Sequence, residues 1–201
     1  MQLEHRTLSD RAFADLDGLR LAYENADAED LIEGVFAAFS GQVALISSFG
    51  ADAAVLLHMV SRVDPFAPVL LVDTMMLFEE TLDYQLELTT HLGLRNVQRV
   101  SPDPNAVARH DENGDLYRQD PDKCCSVRKV EPLELALQRW PVTISGRKRF
   151  QSRTRAKLDV FEIDENRISV NPLARWNAQD VSEYLDLNRL PKHPLVEMGY
   201  P

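Results

Sequence analysis

Gln42-Val-Ala-Leu-Ile-Ser47-Ser48-Phe49-Gly50-Ala51-Asp52, followed by the apolar run Ala53 to Val60, decides the fold. Gln42 to Ser47 is a short apolar run behind Gly41, which reads as a buried strand. Ser47 to Asp52 is small and polar enough to turn the chain, and Ala53 to Val60 is apolar enough for a helix packed back on that strand. Upstream, Leu31, Ile32, Val35, Phe36 and Phe39 recur at helical spacing across 28–39. Downstream the unit repeats, with Pro68 to Asp73 as strand, Leu77 to Leu92 as helix and Asn96 to Val100 as a weaker strand. Ser101 to Asp122 is polar, holds three prolines and Asn113-Gly114, and predicts an excursion over the surface. A helical stretch over 125–140 is expected to break near Pro132, and Val142 to Ser145 predicts a strand ending at Gly146. Alternation of this kind predicts an α/β fold with a doubly wound, mainly parallel sheet and helices on both faces. Ligands of such sheets lie at the carboxyl ends of the strands. In the last third, Val160 to Ile163 and Ile168 to Val170 predict a hairpin, and Asn177-Ala-Gln-Asp180 a capping box that opens a final helix.

At 201 residues the chain is read as a single domain. It divides into an N-terminal arm over 1–27, a core over 41–146 expected to carry the ligand site at its strand ends, and a basic segment, hairpin and C-terminal helix over 147–201. No apolar stretch approaches a membrane span, and the first residues lack the apolar core of a signal peptide, so a cytoplasmic protein is expected. A net charge of −10 argues against general nucleic-acid binding. One segment departs from that average: Arg147 to Lys157 carries six cations and no acid. Such a run is as readily a solvated face as a binding surface.

Three strand ends converge on one ligand chemistry. Ser47-Ser48-Phe49-Gly50-Ala51-Asp52 opens a helix, so its backbone N–H groups, its hydroxyls and the helix dipole can cradle an anion such as phosphate, with Gly50 allowing close approach. It lacks the lysine of a Walker loop and the spacing of a dinucleotide fingerprint, and a plain turn is the bland alternative. Asp73-Thr74 ends the next strand, where it can hold a ribose or base or simply cap a helix. Gly146-Arg147-Lys148-Arg149 brings guanidinium groups to the same edge. His58, His91, His110 and His193 are scattered without metal-ligand spacing, and Trp140 and Trp176 read as packing residues.

The only two cysteines, Cys124 and Cys125, are adjacent. Neighbouring Cα atoms lie about 3.8 Å apart, short of the usual disulfide span, so the pair is better suited to offering thiolates than to forming a staple. Lys123, Arg128 and Lys129 stand close by in sequence. A four-cysteine iron–sulfur cluster takes two more ligands than the chain has.

These blocks resemble the assimilatory adenylyl-sulfate and phosphoadenylyl-sulfate reductases of the PP-loop superfamily. The matches are 47–52, Val72-Asp-Thr74 with Leu77-Phe-Glu-Glu-Thr81, Cys124-Cys-Ser-Val-Arg-Lys-Val-Glu-Pro-Leu133, Gly146 to Arg155, and Asn171 to Trp176 with Leu190 to Leu195 and Gly199-Tyr200, in family order from residue 41. The resemblance implies an adenine nucleotide alpha-hydrolase-like fold and reduction of adenylyl sulfate to sulfite and AMP through a cysteine thiosulfonate. Thioredoxin or glutaredoxin would be the electron donor, and the protein a homo-oligomer. By matching position, Ser47, Ser48, Phe49, Gly50 and Asp52 hold the nucleotide, Asp73 and Thr74 flank the adenosine, and Gly146, Arg147 and Lys129 face the phosphosulfate. Cys124 and Cys125 resemble the branch that holds a [4Fe-4S] cluster and prefers adenylyl sulfate; the cluster-free branch uses the 3′-phosphorylated substrate. Two departures stand out. Ala53 replaces a serine frequent in the PP-loop pattern, and the family carries a Cys-x-x-Cys pair and the attacking cysteine after the Gly-Tyr block, whereas this sequence stops at Pro201. Truncation is therefore expected, giving a nucleotide-binding but inactive fragment. The competing readings are an ATP-dependent PP-loop adenylating enzyme and a non-catalytic nucleotide binder.

Overall fold

A computed structural model describes residues 10–23, 25–164 and 167–200, with side chains from residue 16 and excepting that of 164. Its centre is a six-stranded sheet formed by β1 (Val43–Ser47), β2 (Val69–Val72), β3 (Val97–Val100), β4 (Val142–Ser145), β5 (Phe161–Asp164) and β6 (Arg167–Val170). The spatial order is β3-β2-β1-β4-β6-β5. Every neighbouring pair is parallel except the β5–β6 hairpin, which adds an antiparallel edge. The strand order reverses on either side of β1, so the carboxyl ends of β1, β2 and β4 share one rim.

Side chains that alternate along each strand feed two cores. Val43 and Leu45 of β1, Val69 and Leu71 of β2, and Val142 and Ile144 of β4 enter the larger one. There they meet α1 (Asp10–Tyr23), α2 (Ala28–Ala38), α3 (Ala53–Val63), α4 (Glu79–His91) and α9 (Ala178–Leu187). Ala44, Ile46, Leu70 and Val100 face the other way, onto Leu133, Ala136, Leu137 and Trp140. Helix α2 is capped by Asp27, whose side chain accepts from the Asp30 N–H, and the Asn177–Asp180 capping box opens α9 as expected. Gly34 lets α2 meet the Tyr23 ring: a Cβ there would lie 2.3 Å from the ring.

Two expectations need correction. The polar excursion is not loop throughout, since it holds α5 (Pro104–His110), α6 (Leu116–Gln119) and the start of α7 (Pro121–Cys125). Asp103 and Asp120 cap α5 and α7, each followed by a proline in the first turn, where a missing N–H costs nothing. Nor does Pro132 break the helical stretch. Residues Ser126–Val130 form a π-helical turn between α7 and α8 (Glu131–Leu137), with the Glu131 N–H donating to the Ser126 carbonyl. In an α-helix the Pro132 ring would crowd the Arg128 carbonyl. The wider turn inserts its extra residue just ahead of the proline, and the helix runs on.

Candidate active site

The rim is shaped first by two left-handed residues. Phe49, with φ of +51°, and Met75, with φ of +61°, turn the chain just after β1 and β2. Each is steadied by a side chain two residues earlier: Ser47 Oγ accepts from the Phe49 N–H at 3.1 Å, and Asp73 Oδ1 accepts from the Met75 N–H at 2.8 Å. The Phe49 ring is fully buried and anchors its turn in the larger core. Ser48 is exposed beside it. Asp52 ends the turn and leads into α3 without a side-chain cap hydrogen bond of its own. Asp73 is no helix cap either. Phe78 holds that position for α4, and the buried Asp73 carboxylate instead shapes the turn and faces Arg99 at 3.5 Å.

Gly50 is not required by the protein's own packing. A Cβ there would meet only Ser48 Oγ, at 3.5 Å, and one on Gly146 only Leu56, at 3.7 Å. These are ordinary contacts, so any need for glycine at 50 concerns what approaches from outside.

After β4 the structure separates two neighbouring cations. Arg147 turns toward the hairpin edge: its Nη2 donates to Glu162 Oε2 at 2.7 Å, and its Nε to Ser145 Oγ at 3.1 Å and Asn171 Oδ1 at 3.2 Å. Lys148 turns inward and is 1% exposed. Its Nζ donates to Asp52 Oδ2 at 3.0 Å and to the Gly146 carbonyl at 3.1 Å. Burial lowers the Lys148 pKa, and the Asp52 carboxylate pulls it partly back. The sequence singles out Arg147 and passes over Lys148, although the ammonium of Lys148 is the group that bridges two of the candidate loops. In the rest of the basic run, Arg149 donates to the Leu158 carbonyl and Arg155 to Gln151, while Arg153 and Lys157 are exposed. It is thus part framework and part solvated surface.

The cysteine helix reaches the rim through Arg128. This buried guanidinium donates to the Thr74 carbonyl at 3.0 Å and, through Nε and Nη2, to Asp111 Oδ2 at 2.7 and 2.6 Å. Asp111 Oδ1 accepts from the Leu116 N–H, and the Leu116 amide with the Arg128 guanidinium holds the Asp111 carboxyl below its usual range. Both cysteines are free thiols. Cys124 is buried and Cys125 exposed, as expected for successive helical residues pointing about 100° apart, so the pair presents one sulfur outward rather than two. Lys129, three residues past the start of the widened turn, is exposed. Among the described residues no group of three or more His, Cys, Asp or Glu side chains could hold a metal. Two thiolates are half of what a four-thiolate cluster takes, so these residues do not fit one alone.

The histidines with assigned contacts are structural. His58 Nδ1 lies 2.9 Å from the Tyr184 hydroxyl, and His193 Nε2 lies 3.1 Å from Thr81 Oγ1; burial lowers the pKa of both. Trp176 packs edge-on to Tyr184, and Trp140 sits in the smaller core. A cavity of about 760 Å³ is lined by residues such as Arg99, Pro102, Arg109, Val127 and Leu135, and lies beside the end of β3 and the cysteine helix. No helix among the described residues is long and apolar enough to cross a membrane.

Residues 42–201 match the family model of the phosphoadenosine phosphosulfate reductase domain. The chain is 46% identical over 162 residues to an adenosine 5′-phosphosulfate reductase of Mesorhizobium japonicum, covering 81% of this chain and 64% of that protein. It is 38% identical over 191 residues to a phosphoadenosine 5′-phosphosulfate reductase of Alkalilimnicola ehrlichii, covering 92% of this chain and 78% of the relative. In three dimensions it is similar to phosphoadenylyl-sulfate reductase from Candida auris, with a TM-score of 0.76 at 20% identity over 98% of this chain and 95% of the other.

Proposed function

Because this chain belongs to the phosphoadenosine phosphosulfate reductase family, we propose that its strand-end rim binds adenylyl sulfate, for reduction to sulfite and AMP. The observation that carries this is the shared rim. β1 pairs in parallel with both β2 and β4, so the turns after Ser47, Val72 and Ser145 emerge side by side. Lys148 and Arg128 then stitch the turns after β4 and β2 to their neighbours. In this reading Ser47, Ser48, Gly50 and the N-terminus of α3 receive the phosphate. Asp73 and Thr74 flank the adenosine, and Lys129 and the Gly146-Arg147 segment face the sulfate end. Fixed cations there offset the charge that develops on the departing phosphate.

On this proposal the reduction runs in two steps. A cysteine thiolate attacks the sulfate sulfur; an S–S bond forms, the S–O bond to phosphate breaks, and AMP leaves with the electron pair. A dithiol donor of the thioredoxin or glutaredoxin type then attacks the cysteine sulfur of the thiosulfonate and releases sulfite, and its own two thiols are oxidised to a disulfide. On this proposal neither Cys124 nor Cys125 is the attacking thiol, which belongs to the cysteine motif that follows the Gly-Tyr block in the family. The paired cysteines are read as two of the four thiolates of a [4Fe-4S] cluster, the mark of the adenylyl-sulfate branch. A reducing cytoplasm suits their free state.

Calorimetric titration of the 201-residue chain with adenylyl sulfate, its 3′-phosphorylated form and ATP tests this. Tightest binding of adenylyl sulfate is expected. A preference for the 3′-phosphorylated form would move the chain to the other branch, and tight ATP binding with pyrophosphate release would replace the reading by adenylation.

A further inference from the structure

We propose that Lys148 is a positioning residue whose ammonium, gripped between the Asp52 carboxylate and the Gly146 carbonyl, locks the turn after β1 to the turn after β4, so that the phosphate cradle is preformed. The inference rests on the reading above that this rim receives a nucleotide phosphate.

The geometry is specific. Lys148 and Asp52 are 96 residues apart in sequence and 3.0 Å apart in space. Asp52 is the last residue before α3, so whatever fixes its carboxylate fixes where the first turn of that helix points. Gly146 is the first residue after β4, and its carbonyl takes a second ammonium proton at 3.1 Å. A side chain exposed by only 1% has little freedom to move away from these partners. The backbone N–H of Lys148 accepts a further constraint by donating to Gln151 Oε1 at 3.1 Å, which folds the basic run over the lysine. A buried lysine costs stability unless it is paired; here the pairing joins the two loops that leave the neighbouring parallel strands β1 and β4.

Charge alone and positioning predict opposite signs for one substitution. If Lys148 acted only as a positive field near the phosphate, Asp52→Asn would remove a competing negative charge and tighten binding of an anion. If the pair is a lock, Asp52→Asn frees the turn and weakens it. The experiment titrates AMP and adenosine into wild type, Asp52→Asn, Lys148→Met and the double variant, with urea unfolding as the check on folding. Coupling within such a pair is worth roughly 3- to 100-fold in affinity. Asp52→Asn should raise the AMP Kd by at least about threefold and leave adenosine binding nearly unchanged, and the double variant should be no weaker than the weaker single variant. Tighter AMP binding by Asp52→Asn, equal losses for AMP and adenosine, or additive losses would overturn the lock. Asp52→Asn alters a partly exposed residue and decides the question even where Lys148→Met fails to fold. If wild type binds neither AMP nor adenosine, the nucleotide reading itself fails and the lock falls with it; if wild type binds both and Asp52→Asn changes neither, only the lock fails.

Discussion

The turn after β1 can be tested through an inversion of the usual order of alanine and glycine. Phe49 is fully buried, yet its backbone sits at φ of +51°. Truncating its ring to alanine removes core contacts and leaves a cavity, which costs about 3–5 kcal/mol for a buried phenylalanine. The alanine keeps the left-handed backbone, which costs an L-residue about 1–2 kcal/mol. Glycine also loses the ring but adopts that conformation freely. In ordinary positions glycine falls below alanine by about 0.5–1 kcal/mol; here Phe49→Gly should exceed Phe49→Ala by about 1 kcal/mol. For a chain of this size 1 kcal/mol corresponds to about 2–4 °C, so Phe49→Ala should lower Tm by roughly 6–20 °C and Phe49→Gly by a few degrees less. Urea unfolding of the two variants, compared at matched slopes, gives the difference directly. A lower midpoint for Phe49→Gly than for Phe49→Ala would show that the left-handed turn is not a constraint in solution.

Tyr84 donates from its buried hydroxyl to the Pro191 carbonyl at 2.9 Å, so Tyr84→Phe should cost about 1–2 kcal/mol and lower Tm by roughly 2–8 °C; an unchanged Tm in a thermal scan would remove this tie between α4 and the C-terminal segment. The Asp111 carboxyl is held below its usual range by the Leu116 amide and the Arg128 guanidinium, so its stabilisation is full above the unfolded value of about 3.9 and disappears as pH falls through the folded one. The gap in urea midpoint between wild type and Asp111→Asn should accordingly hold from pH 7 to about pH 5 and close in stronger acid, and a gap independent of pH would contradict the assignment. Cys125 is exposed and Cys124 buried; iodoacetamide on the native protein, mapped by mass spectrometry, should label Cys125 first, and equal rates would count against the helix orientation.

How much could be read beforehand follows from range. The strands at 43–47 and 69–72 and the helix at 53–63 announce themselves because burial on two sheet faces or one helix face writes a local period into the chain. The capping box at Asn177 and Asp180 is likewise local, three residues wide. The caps at Asp103-Pro104 and Asp120-Pro121 carry the same kind of signal, and reading them as helix starts rather than loop punctuation finds α5 and α7. The site is harder. That Arg147 pairs with Glu162, and Lys148 with Asp52, depends on which strand lies beside which, and no spacing within Gly146-Arg-Lys-Arg tells one cation from the next. Arg128 lies between the cysteines and Lys129 in a block that the sequence marks, but its partners Asp111 and Thr74 stand 17 and 54 residues away and come from other elements.

The π-helical turn at 126–130 takes up one residue without turning the thiols. Five residues at the wide pitch sweep about the same angle as four at the regular one, so deleting one would leave Cys124 and Cys125 facing as they do and instead bring the Pro132 ring back against the carbonyl one turn earlier. A single-codon deletion at this point is therefore felt in the strain of the helix and not in which sulfur meets solvent.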